Sequence, residues 1–152
     1  MIEQLPFGQY REILDGGETW RWKNFSKMSS TDLRKWNAVS PYFSPEEIAS
    51  ADGELIVYVP ALQGYNALRA LWLKPHSPNS AYRSPAHNRD IGGAKGSRHM
   101  AGAAFDVPRR AMKLDEPSFI AAAKAHGFNG FGTYRTFIHI DMRSRGARWR
   151  GD

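Results

Sequence analysis

The chain contains no cysteine. That absence rules out a disulfide framework and a thiolate-bound zinc, so any metal here has to be held by histidine, aspartate or glutamate. Long apolar runs are missing too: nothing approaches the roughly 20 residues of a membrane-crossing helix. The opening MIEQLPFGQYREILDGG has no basic region leading into an apolar core. A soluble chain without export signal or membrane partner is therefore expected. No internal repeat is visible. A length of 152 residues suits one core and is short for two, so a single domain over residues 1–152 is expected. Hydrophobic content of 41% with 24% charged residues places it with ordinary globular proteins.

Acidic residues are in short supply. Asp and Glu number 15 against 21 Lys and Arg, a formal charge of +6. Much of the excess sits in RSRGARWR, with Arg143, Arg145, Arg148 and Arg150. Such a balance favours an anionic partner: nucleic acid, a membrane surface or an acidic wall polymer. It selects none of them, and a solvated basic tail accounts for it equally well.

The first forty residues carry Trp20, Trp22, Phe25 and Trp36 without a clean period; they read as an irregular wrap with short helical pieces. YFSPEEIAS starts a helix, with Ser44 as N-cap, Pro45 at the first position and Glu46 and Glu47 in the first turn. PALQGYNALRALWL starts a second at Pro60 and spaces Leu62, Tyr65, Leu68, Leu71 and Trp72 along one face. KPHSPN is a polar break that leaves His76 exposed. After it, Ala81–Arg83 reads as extended and passes into a Gly-rich loop. AGAAFDV is a strand ended by Pro108. Asp115, Glu116 and Pro117 open a helix that turns Phe119, Ile120 and Ala123 inward and stops at Gly127. GFNGFGTY reads as a turn-rich loop and TFIHIDMR as the clearest strand. This mixture without regular alternation predicts an α+β fold with a small, mostly antiparallel sheet flanked by helices.

Alternate residues of a strand share a side. In TFIHIDMR that groups Phe137, His139, Asp141 and Arg143 against Thr136, Ile138, Ile140 and Met142. The second set reads as core and the first as the lining of a cleft. In GSRHMAGAAFDVP, His99 and Asp106 stand seven apart across residues small enough to let the backbone come close to whatever the two side chains hold. Two histidines and a carboxylate, His99, Asp106 and His139, form an ordinary catalytic zinc shell with an open fourth position. A network of cap, turn and paired-side-chain contacts is the plainer reading of the same residues.

SAYRSPAHN, GGAKGSRHMAGAAFDV and GFGTYRTFIHIDMR together resemble the zinc D-alanyl-D-alanine carboxypeptidase family, which includes vancomycin-resistance dipeptidases and phage endolysins. Its pattern of S-x-Y-R, then S-x-H-x-x-G-x-A-x-D, then H-x-D falls on Ser80–Arg83, Ser97–Asp106 and His139–Asp141. The likeness runs from about Tyr42 to Trp149. It implies a peptidase fold of the kind shared with hedgehog domains, with a zinc site in a cleft on the sheet. One zinc ion per chain would be held by His99, Asp106 and His139. Arg83 would steady a carbonyl oxygen as it gains charge, Ser97 would orient the site and Tyr134 would line the substrate cleft. The implied partner is the peptide stem of bacterial peptidoglycan, cut by a carboxypeptidase or an endopeptidase, with no specific nucleic acid and a monomeric chain. A phage or prophage lysis protein, released through a membrane lesion or carried with the virion, fits a wall enzyme without export signal. A module that keeps the fold and has lost catalysis is the alternative.

One position departs from the pattern. Several branches of that family place a Glu or His base three residues before the last ligand, where this chain has Thr136. Asp141 is the local substitute, either as base or as a carboxylate that orients a ligand or pairs with Arg143. His87, His126 and a carboxylate of the substrate itself are the other sources. Trp149 is expected to pack the chain end against the sheet, with solvated arginines around it.

Overall fold

The computed structural model describes residues 1–151. In chain order the elements are β1 (Ile2–Gln4), β2 (Tyr10–Glu12), β3 (Thr19–Trp22), α1 (Ser30–Val39), α2 (Pro45–Ile48), β4 (Leu55–Tyr58), α3 (Val59–Trp72), α4 (Pro85–Asp90), β5 (Ala104–Pro108), α5 (Glu116–Ala125), β6 (Gly130–Thr133), β7 (Phe137–Asp141) and β8 (Ala147–Arg150). β1–β2 and β3–β4 are two-stranded antiparallel pairs, and the main sheet has the order β5-β7-β6-β8. Its β5–β7 and β6–β7 pairs are antiparallel, and β8 joins β6 in parallel. This is the α+β fold that the pattern of elements predicts. Among the described residues no helix is long and apolar enough to cross a membrane.

The helix signals work as chemistry. Ser44 accepts from the Glu47 amide while the Glu47 side chain accepts from the Ser44 amide, closing a capping box that satisfies two otherwise orphaned donors. Asp115 caps α5 in the same spirit, and Phe119, Ile120 and Ala123 are buried as expected. In α3, Leu62, Tyr65 and Leu68 are fully buried, but Leu71 is 55% exposed, while Leu73 just after the helix is buried. The core centre is a stack of rings: Tyr65 lies 4.4 Å from Phe43 and 4.3 Å from Phe105. Phe105 alternates with Asp106 along β5, so the strand that carries the carboxylate on one face anchors the core with the other.

Further expectations are corrected. The N-terminal segment is not an irregular wrap: β3 pairs with β4, α1 has its own capping box at Ser29, and Trp20, Trp22 and Trp36 cluster with centroids 6.0–6.4 Å apart. His76 is half-buried, its Nε2 2.6 Å from the Tyr65 hydroxyl and its Nδ1 2.7 Å from the Lys74 carbonyl. The Arg-rich end is not a tail, since Ala147–Arg150 form a sheet strand with Arg148 and Arg150 exposed. Finally, GFNGFGTY contains a strand, β6, whose glycines have a steric purpose. A Cβ on Gly130 would lie 2.0 Å from Asp141 Oδ1, and one on Gly132 would lie 2.4 Å from the Trp149 ring. Both positions must lack a side chain for their neighbours to meet across the strand.

Candidate metal centre

Register brings the site together. Asp106 of β5 faces His139 of β7 directly in the antiparallel pair, and cross-strand partners share a face at close range. His99 arrives from a 3-10 turn, Arg98–Ala101, capped by Ser97, whose hydroxyl accepts from the His99 amide. The small residues after it are needed at one point above all. Gly102 adopts φ +71°, and a Cβ there would come within 2.4 Å of the Ile56 carbonyl oxygen. The strand–turn join can therefore sit directly on β4.

Segment Ser80–Arg83 laces these parts into one body. The Asp106 amide donates to the Ser80 carbonyl at 2.8 Å, and the Arg83 amide donates to the His99 carbonyl at 3.1 Å. His99 Nδ1 donates to the Ala81 carbonyl at 2.6 Å. A carbonyl can only accept, so the ring proton is on Nδ1 and Nε2 carries a lone pair. His139 Nε2 lies 2.6 Å from Asp141 Oδ2 and donates to it, which in the neutral ring leaves a lone pair on His139 Nδ1.

His99 Nε2, His139 Nδ1 and Asp106 Oδ1 then face one another across 3.2, 3.2 and 3.1 Å. Three lone pairs at that range with no proton between them repel, and a cation at their centre removes the conflict. The triangle also has the right size. Tetrahedral zinc with bonds of about 2.0–2.1 Å separates its ligands by roughly 3.3 Å. The donor set therefore fits one zinc ion, and the three residues form the cluster of metal-ligating type among the described residues.

The two imidazoles are tuned in opposite directions: burial would lower the His139 pKa, but the Asp106 and Asp141 carboxylates beside it raise it. Burial lowers the His99 pKa, against the pull of Asp106, and so favours the neutral ring a ligand requires. Burial would raise Asp106, but the two imidazoles beside its carboxyl hold it well below the usual carboxylate range. Asp141 is likewise opposed by burial, yet Arg143 and His139 bring it to about 2.

Of the two readings of Asp141, the geometry supports the orienting carboxylate. Arg143 grips it through Nε at 2.7 Å and Nη2 at 2.5 Å, and it is fully buried behind the His139 ring. With both oxygens engaged and no path to the cleft, it is not placed as a proton acceptor for substrate. We expect Asp141→Asn to keep all three ligands yet weaken zinc about 10- to 100-fold, the usual cost of removing such a partner. Competition with a chromophoric chelator measures it, and wild-type affinity would contradict the role.

The ligands open into a cleft of about 650 Å³ that Arg83, Ser97, Arg98, Tyr134, Phe137, Arg143 and Trp149 also line. Arg83 donates through Nη2 to Ser97 Oγ at 3.3 Å. Its Nε is buried with no partner among the described residues. The cleft also has an aromatic lining: Tyr134 stacks on Phe137 at 4.5 Å, and Trp149 lies 5.2 Å from the His139 ring. Trp149 Nε1 donates to the Tyr134 hydroxyl at 2.9 Å. The indole is therefore part of the site and not only the packing of a chain end, a placement signalled in the sequence by the alternation of ARWR. His87 lies on α4, His126 caps the end of α5, and Thr136 is exposed on a separate depression. None of the three lines the metal cleft.

A sheet-borne cleft with two imidazoles and one carboxylate converging on a cation position is a candidate metal centre. Residues 41–141 match the family model described as Peptidase M15, and the chain belongs to that family. No curated protein matches it. Family and donor set together point to a zinc metallopeptidase.

Proposed function

We propose that the protein hydrolyses a peptide bond in the stem peptides of bacterial peptidoglycan, using one zinc ion. The observation that carries the reading is the convergence of three lone pairs at the floor of a cleft, beside an arginine with a buried, unpartnered Nε. A bound zinc supplies Lewis-acid polarisation of the scissile carbonyl and makes water nucleophilic near neutral pH. Arg83 is suited to steady the carbonyl oxygen as it gains charge. Burial lowers its pKa, with Asp106 and Tyr134 opposing that, so a guanidinium already inside the cleft waits for an acceptor.

Hydrolysis adds the water oxygen to the carbonyl carbon, breaks the C–N bond and leaves the departing nitrogen needing a proton. Tyr134 is the candidate to deliver it. Its oxygen accepts from Trp149, so its own O–H is left to donate, and the phenol regains a proton from the attacking water. The cationic lining of Arg83 and Arg98 supports a substrate with carboxylate groups, as stem peptides have.

The test is mass spectrometry of muropeptides incubated with zinc-loaded protein, with chelated protein and with Tyr134→Phe. The zinc form is expected to release a defined fragment whose mass names the bond. The chelated form should release none, and the phenylalanine variant should run about 10²-fold slower or worse, the range of a lost proton donor. Identical and unchanged muropeptides in every arm would favour a wall-binding module without catalysis, the reading that gains support because, among the described residues, no carboxylate or imidazole lines the cleft besides the three ligands.

A further inference from the structure

Glu12 lies outside the residues that match the family model, yet it is buried, with 8% exposure, at the end of β2. Its two oxygens serve two different parts of the site. Oε1 accepts from the Ser144 amide at 2.9 Å and also from the Ser144 hydroxyl. Oε2 accepts from Arg98 Nε at 3.4 Å. Arg98 immediately precedes the ligand His99 and lines the cleft, while Ser144 immediately follows Arg143, which grips Asp141 and through it sets the His139 ring. A second tie runs beside it, from the Tyr10 amide to the Lys95 carbonyl at 3.2 Å.

The hairpin of β1 and β2 therefore touches both segments that bring imidazoles to the metal, and it does so through one carboxylate. His99 comes from a short 3-10 turn after a Gly-rich loop, the part of the site with the least secondary structure of its own. Segment Ser80–Arg83 ties it to β5, and the Glu12 contacts tie it to the chain that follows β7. We propose that Glu12 is a positioning residue that clamps the His99 turn to the end of the His139 strand, so that the N-terminal hairpin sets the spacing of the metal ligands. The clamp is a matter of the metal site alone and stands whichever peptide bond is cut.

The experiment compares wild type, Glu12→Ala and Glu12→Gln by zinc competition against a chromophoric chelator and by the visible spectrum of the cobalt-substituted proteins. Glu12→Ala loses both ties and is expected to weaken zinc about tenfold, with cobalt bands shifted in position or intensity, in line with the cost of losing outer partners of a metal site. Glu12→Gln keeps the volume and one acceptor, so it should fold normally and show a smaller fall in the same direction. A role confined to fold stability would lower the thermal midpoint and leave the spectrum of the folded protein as it was. Wild-type zinc affinity together with a wild-type cobalt spectrum in either folded variant overturns the proposal. One equivalent of zinc on the wild type is the internal control. Its absence would overturn the metal-site reading itself, and Glu12 would fall with it.

Discussion

His99→Ala is expected to leave the protein with no tightly bound zinc and to lower hydrolysis by at least about a thousandfold. Two donors remain after the change, Asp106 and His139, and catalytic zinc sites are built on three protein ligands. Lewis-acid stabilisation contributes several kcal/mol to such reactions, and ~4 kcal/mol corresponds to about 10³ in rate. The side chain is only 2% exposed, and its removal also strands the Ala81 carbonyl, so some loss of fold stability accompanies the loss of metal. Zinc per chain by elemental analysis, next to a thermal melt of the same sample, separates the two effects. A folded His99→Ala protein with full zinc and full rate would remove His99 from the centre.

The second large effect is on stability. Gly102→Ala is expected to cost about 3 kcal/mol. Roughly 1–2 of that arises from forcing a Cβ into the left-handed region and about 1–3 from displacing packed backbone. The residue sits at φ +71°, and the new carbon would meet Ile56 O at 2.4 Å and Val57 Cα at 2.8 Å, neither of which is the free end of a side chain. For a chain of this size the melting temperature should fall by roughly 10 °C. Gly96→Ala, in the same loop, is the control. No atom lies within 4 Å of its Cβ position and its φ is not in the left-handed range, so a change within about 0.5 kcal/mol is expected. Equal melting temperatures for the two variants would mean that the close approach at Gly102 is not needed.

Local chemistry was readable wherever one residue's partner is its near neighbour. Ser44 with Pro45, and Asp115 with Pro117, announce helix starts because the cap bonds within the same turn. Ser84 and Pro85 carry the same signal for α4, but the glycines that follow suggest a loop throughout. The alternation in β7 separates Ile138 and Ile140 from His139 and Asp141 correctly, since a strand sorts its own side chains. What failed was long-range. Gly130 and Gly132 lower strand propensity locally, and only the side chains that fill their empty places, Asp141 with Arg143 and Trp149, explain why a strand belongs there. The three ligands could be named from their motifs, but the register that sets Asp106 opposite His139 is a property of two strands and cannot be read from either. Glu12 gave no signal at all, because it lies 86 residues from Arg98 and 132 from Ser144.

The placing of β8 has a consequence for how this protein is cut down or compared with others. The span that matches the family, 41–141, holds all three ligands and both register partners. It stops short of Arg143, Ser144 and Trp149, and it begins after Glu12. The stretch that makes the protein recognisable therefore holds the donors and the Ser80–Arg83 lacing, while further contacts on the centre come from both sides of it in the chain. A search guided by that stretch alone would find the metal donors and discard those further contacts.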